Sequence, residues 1–340
     1  MDADKVAPHH LKAEASGPVT EPMEKLLERI AVALEAIAGH LAHDTAGAAP
    51  KPISAASRKP LALSPAPASE TSGLIERYLN ERGITIKSRP PEDPADELID
   101  SLSLYLGNRY QQLTRLLAQI KSAMQDGGSI THNLSKAPQA DVSTICQFCS
   151  RLHQIAFFEQ YRYLKAPHYV LKIKTTKLPK AQRFFSGQWL ERYIVQSVRA
   201  IHQRLSSASG KPLYFEALVN PQISLPNGDD FEFDILAVIG DALYWIEAKS
   251  GDYQQHVSKY SRISRLLGLD AAHSFMVLTD VADSACAHLS SLFSMTTCNL
   301  TTIEEKLISV VQNDSGITVE QPQHAPPVDT KDEPIQATPD

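Results

Sequence analysis

Glycine is scarce: 15 residues in 340 leave little material for loops that cradle phosphate. The chain holds no Gly-x4-Gly-Lys-Ser/Thr, no Gly-x-Gly-x-x-Gly and no Gly-x-Ser-x-Gly. Those absences argue against nucleotide hydrolysis, dinucleotide binding and α/β-hydrolase chemistry. No run of 18 apolar residues occurs, so no segment reads as a membrane-spanning helix. Met1, Asp2, Ala3, Asp4 and Lys5 lack the cationic-then-apolar order of a secretory signal. Four cysteines in a chain of this length make no disulfide framework, and a reducing cytoplasm is the expected compartment. Cys146, Cys149 and His153 have half of a zinc spacing, but Cys286 and Cys298 supply no matching second pair. Steps of three and four residues put all three on one helix face, where the cysteines read as core.

Proline is present but unevenly placed. Of 22 prolines, 11 lie in residues 1–94 and 5 in 320–340, so the compact protein is the middle of the chain. Charge is uneven too. Residues 101–215 carry 16 Lys/Arg against 4 Asp/Glu, and residues 216–340 carry 6 against 19. A basic block inside a chain of net charge −6 is the footprint of a polyanion partner, or a solvated basic surface. Residues 1–20 read as disordered. Met23, Leu27, Ile30, Leu34, Ile37 and Leu41 then step by fours and threes, a coiled-coil seam or a helix docked on its own domain. A homo-oligomer through residues 23–41 is one expectation. A linker at 44–70 follows, then a short helix, a strand and further linker at 71–95, and residues 313–340 form a disordered acidic tail.

Three helices are expected between 96 and 155, marked by Leu98–Tyr105, by Leu113–Met124 and by Val142–Ile155 with Asp141 as cap. Two β-rich runs follow, Phe157–Tyr163 and Tyr169–Ile173, joined by Lys165-Ala166-Pro167-His168. Over 96–178 this order resembles a winged helix-turn-helix, a module that binds nucleic acid or protein. Lys172, Lys174, Lys177, Lys180 and Arg183 make it basic, and they are the candidate phosphate contacts.

The chemistry sits further on. A helix face formed by Trp189, Leu190, Tyr193, Ile194, Val198 and Ile201 surrounds Glu191, and a strand is expected at Phe215–Ile223. Phe231–Val238 and Leu243–Lys249 flank a Gly240-Asp241 turn, a hairpin signal. With that turn, paired residue numbers sum to 481, which sets Asp234 opposite Glu247 and Glu232 opposite Lys249. All four then share one face. Opposed carboxylates repel across a sheet. A Mg²⁺ or Mn²⁺ ion held by both would relieve that conflict, and Lys249 would stand beside it. On repulsion alone, losing Asp234 should slightly stabilise the metal-free chain.

At these residues the chain resembles the PD-(D/E)xK nuclease superfamily. Asp234 matches its first acid, Glu247-Ala248-Lys249 its Glu-x-Lys, and Glu191 in Gly187-Gln188-Trp189-Leu190-Glu191 its additional helix acid. The resemblance covers residues 187–311. It is strongest toward the nuclease domains of cyclic-oligoadenylate-activated CRISPR-associated nucleases, though Phe233 replaces proline before Asp234 and residues 1–100 carry no nucleotide-sensing Rossmann-like pattern. It implies an α/β fold with a restriction-endonuclease-like mixed sheet flanked by helices over 179–312. It implies Asp234, Glu247, Lys249 and Glu191 as catalytic residues, and Asp234, Glu247 and Ala248 around a Mg²⁺ or Mn²⁺ ion. The activity implied is hydrolysis of nucleic acid, DNA favoured over RNA, in defence against foreign DNA or in DNA repair. A winged-helix binding module with an inactive nuclease-like domain is the alternative.

Overall fold

The computed structural model describes residues 73–317, apart from 126, 211, 252, 255 and 256. The seam at 23–41, the linker at 44–70 and the tail beyond 317 lie outside the described residues. Among the described residues no helix is long and apolar enough to cross a membrane.

The short helix and strand expected near 71–86 are α1 (Leu74–Asn80) and β1 (Thr85–Ser88). Two helices follow, α2 (Asp96–Asn108) and α3 (Tyr110–Met124), divided at Arg109. In α3 the apolar residues Leu113, Leu116, Leu117, Ile120 and Met124 recur at helical period and are buried, while Gln112 and Arg115 stay exposed. Gly127, at φ 67°, ends this stretch in a conformation that disfavours other residues. The next element was not anticipated. Strand β2 (Ser129–Asn133) buries Ile130 and His132 and exposes Ser129, Thr131 and Asn133, a period-two pattern too short to register in the sequence.

Helix α4 (Gln139–Gln154) begins after Pro138, so Asp141 lies in its first turn and is not its cap. Cys149 is fully buried and Cys146 partly so, while His153 is exposed and off the inner face. Strands β3 (Phe158–Leu164) and β4 (Val170–Thr175) form the expected hairpin, and β2 joins it in the antiparallel order β2-β4-β3.

A short helix α5 (Pro179–Arg183) and a π-turn at Phe184–Gln188 lead into α6 (Trp189–Ser209). Strands β5 (Phe215–Val219), β6 (Gln222–Ser224), β7 (Asp230–Glu232), β8 (Ile235–Ile239) and β9 (Ala242–Lys249) come next. Then follow α7 (Val257–Leu267), β10 (Ser274–Leu278), α8 (Asp283–Phe293), β11 (Thr296–Cys298) and α9 (Ile303–Ser315). The central sheet has the order β11-β10-β9-β8-β5. Strands β9, β10 and β11 are parallel; β8 runs antiparallel to β9 and β5. This is the mixed α/β architecture that was expected, with β9–α7–β10 as its crossover.

Both sheet faces are covered, which explains why Ile235–Ile239 is apolar without alternation and buried throughout. Ile235, Ala237 and Ile239 pack with α6 and the helices α2–α4. Leu236 and Val238 pack with α1, α7 and Trp245. The first of these cores is continuous from Ile99 to Val311. It is close-packed between α2 and α6, where a Cβ on Gly107 would stand 2.1 Å from the Tyr193 ring.

Candidate active site

The site is made by a corner. Strand pairing between β5 and β8 continues to Asn220, whose N–H donates to the Asp234 carbonyl at 3.0 Å. Pro221 follows, and Asn220 takes a left-handed turn at φ 50° that asparagine tolerates. The Phe233 N–H then bonds the Pro221 carbonyl at 3.3 Å. Both strands therefore leave the central sheet together and continue as β6 and β7 beside β1. The strand anticipated over Phe215–Ile223 is two strands, divided at this bend.

Within the central sheet the β8–β9 register is Ile235↔Ile246 through Ile239↔Ala242, the sum of 481 that the turn requires. The ladder stops one step short of Asp234, the corner residue itself. Glu232 lies beyond the corner and pairs with Gln222, so it does not stand opposite Lys249. That expectation fails because the hairpin bends where the sequence projects a straight strand.

Release from the ladder turns the Asp234 carboxylate onto the end of β9. Its Oδ2 accepts from the Ala248 N–H at 2.8 Å and from Lys249 Nζ at 2.7 Å. Glu247 is 1% exposed. Its Oε1 accepts from Trp245 Nε1 at 2.9 Å and from the Asp234 N–H at 3.3 Å, and its Oε2 lies 3.2 Å from Lys249 Nζ. One ammonium thus bridges two carboxylates at the strand end. Glu191, in the first turn of α6, arrives through the corner: Asn220 Nδ2 donates to its Oε2 at 2.7 Å. Tyr260 of α7 presents its ring 5.8 Å from Lys249 Nζ.

The electrostatics follow from burial. Desolvation and then the Asp234 charge push Glu191 up to about 7, and the same two causes raise Glu247. Burial works against the Lys249 ammonium, but Glu247 and Asp234 outweigh it and hold it firmly protonated. Three carboxyl groups face one lysine, an excess of negative charge in a desolvated corner. The Oδ1 of Asn220 is also buried with no hydrogen-bond partner among the described residues. Hard oxygen donors, surplus anionic charge and an orphaned acceptor fit a small divalent cation. Among the described residues no three His, Cys, Asp or Glu side chains converge tightly enough to chelate one unaided. The donors at hand are Asp234 and Glu247, and magnesium is bound through one or two carboxylates with water completing its shell.

The structure places the basic residues unequally. Lys172, Lys177 and Arg183 are exposed, whereas Lys174 pairs with Glu159 at 2.6 Å and Lys180 with Asp93 at 2.5 Å. Asn220, Trp245 and Tyr260 escaped notice in the sequence. Asn220-Pro221 is a turn signal that could have marked the corner, and Trp245, two residues before Glu247, shares its strand face.

No family model matches the chain. No curated protein matches it either. Among solved structures it is similar to protein VC1899 from Vibrio cholerae, at 18% identity and a TM-score of 0.48, covering 71% of this chain and 61% of that one. It is also similar to Can2 from Sulfobacillus thermosulfidooxidans, solved in complex with cyclic tetra-adenylate, at 12% identity and a TM-score of 0.47. That match covers 70% of this chain and 61% of Can2. The chain thus spans about three fifths of either protein.

Proposed function

We propose that this chain is a metal-dependent nuclease of the PD-(D/E)xK type, hydrolysing phosphodiester bonds of nucleic acid with DNA favoured over RNA. The observation that carries the reading is the meeting of Asp234, Glu247 and Lys249 at one sheet corner, with Glu191 tied to it through Asn220. Asp234 and Glu247 would hold the ion, with Ala248 beside it. Bound Mg²⁺ or Mn²⁺ would supply Lewis-acid stabilisation and a nucleophilic water near neutral pH. Lys249 keeps a compact positive charge next to both carboxylates, where it stabilises charge growing on a phosphoryl group. Glu191, raised to about 7, is poised to take or hold a proton near neutral pH, and Asn220 fixes which oxygen faces the site. The exposed cations Lys172, Lys177 and Arg183 hold the nucleic-acid backbone, in a role in defence or repair.

The test is cleavage of plasmid, single-stranded DNA and RNA with Mg²⁺, Mn²⁺ or EDTA. Cleavage that needs the ion and disappears in Asp234→Ala and Glu247→Ala supports the reading. Equal cleavage by wild type and either variant sinks the site assignment. Binding without cleavage by the wild type would instead leave a nucleic-acid-binding module with an inactive site.

A further inference from the structure

Lys121 lies outside the acid–lysine cluster and is not part of the basic run. It projects from α3, more than a hundred residues away in sequence, onto Ser250, the residue that follows Lys249. Its ammonium lies 3.2 Å from Ser250 Oγ and 3.4 Å from the Ser250 carbonyl, both long for a charged donor. The side chain is half-buried, and its hydrogen bonds among the described residues go to the neutral acceptors of Ser250. Asp280, at the end of β10, is near enough to favour its charge but is itself engaged by Tyr110 and Thr279 at 2.8 Å each.

Two other cations are better held. Arg192, also half-buried, is paired with Asp96 and with Asp100 at 2.6 Å, and Lys249 is bound by two acids. Lys121 is a desolvated positive charge held by weak, neutral acceptors, with hydrogen-bonding capacity left over. Its anchor, Ser250, has Gly187 on another side: a Cβ built there would stand 3.9 Å from Ser250 Oγ. Gly187 begins the five residues that end at Glu191. Lys121, the end of β9 and the entry to α6 therefore converge on Ser250, between Lys249 and the segment that carries Glu191.

We propose that Lys121 is a phosphate-positioning residue, binding a backbone phosphate of the nucleic-acid substrate beside the one that is cut. The proposal rests on the nuclease reading. It also gives the helical layer a task at the site, because α3 reaches the strand end that bears the Glu-x-Lys. A phosphate oxygen at charge-assisted distance is a far better partner for this ammonium than a serine hydroxyl at 3.2 Å.

The experiment uses the full chain, duplex DNA and Ca²⁺ for binding, then Mg²⁺ for single-turnover cleavage. Lys121→Met keeps the aliphatic length and removes the charge; Lys121→Gln is read the same way should the Met variant fold poorly. Either should flatten the log–log salt dependence of binding by about 0.9, the value of one duplex phosphate contact, and slow cleavage at subsaturating DNA. Lys121→Arg should restore the slope, and metal affinity should not move in any variant. Ser250→Ala removes the tether and should leave the slope intact. A structural tether alone would lower thermal stability in both Ser250→Ala and Lys121→Met and leave the salt slope at wild type. That result, with wild type binding and cutting, overturns the proposal alone. A wild type that binds no nucleic acid overturns it together with the nuclease reading.

Discussion

On the proposed reading, Lys249 carries two duties. It bridges Asp234 and Glu247 and offsets their repulsion. In catalysis its charge would count toward rate more than binding, because only stabilisation specific to the transition state accelerates the reaction. Lys249→Ala is expected to lose about 10²–10³ in single-turnover rate, with Mg²⁺ affinity held within a few-fold. Unchanged turnover with lost metal binding would reduce Lys249 to an ion-pair partner. Asp234 revises an expectation. Repulsion alone makes Asp234→Ala stabilising, but the Asp234 carboxylate is the acceptor for the Ala248 N–H, and losing it strands a buried donor. A small loss of thermal stability is expected instead. Glu191 gives a pH signature. Its folded-state pKa is raised from 4.5 to about 7, so the native chain holds a proton that the unfolded chain releases. Stability should fall as pH rises through that window, and Glu191→Gln should remove that part of the slope. Matching melting profiles for the two proteins between about pH 4.5 and 7 would contradict the burial argument.

Elements distribute the basic charge. On β4, Lys172 points to solvent opposite Arg162 of β3, while Lys174 faces the same side but is tied to Glu159. Lys177 is exposed after the strand, and Lys180 is tied to Asp93. Phosphate contacts release counterions only where the cation is not already neutralised by a neighbour. Replacing Lys172 and Lys177 by Gln should therefore flatten the salt dependence of DNA binding by about two. The same change at Lys174 and Lys180 should flatten it less, since Glu159 and Asp93 already neutralise those cations. Equal slopes for the two double variants would mean that the ion pairs do not persist when nucleic acid binds. Helix α9 shows the converse, an acidic element with an internal use. Asp314, expected in a disordered tail, sits in the last turn of α9 and accepts from Tyr244 at 2.7 Å, with His273 Nε2 3.0 Å away.

Across the molecule, the core joins segments that composition divides. Trp189 stacks on Tyr110 with centroids 5.5 Å apart, Tyr193 fills the space beside Gly107, and Arg192 pairs across to α2. Residues 96–178 and α6 therefore share one apolar interior with the central sheet. A fragment of residues 179–317 would expose that whole helix face and is expected to aggregate, whereas residues 73–317 should unfold in a single cooperative transition. Calorimetry showing two separable transitions would contradict the shared core.

Some of this was legible from residue order because it depends on local periodicity. The 3.6-residue pattern of Leu113–Met124, the apolar run Ile235–Ile239 and the Gly240-Asp241 turn each specify an element and, for the hairpin, its register. A two-residue turn leaves one pairing, so the neighbourhood of Asp234, Glu247 and Lys249 could be calculated before any fold was known. The corner at Asn220 and Asp234 could not, because it exists only where two bending strands leave one sheet for another. Its consequences are equally non-local: Glu232 swings away, Asn220 reaches Glu191, and the Ala248 N–H finds a carboxylate. Burial settled the rest. The proton that Glu191 holds and the pairing of Lys174 or Lys180 depend on neighbours brought together from distant parts of the chain, and residue order alone does not say which ionisable groups end up dry.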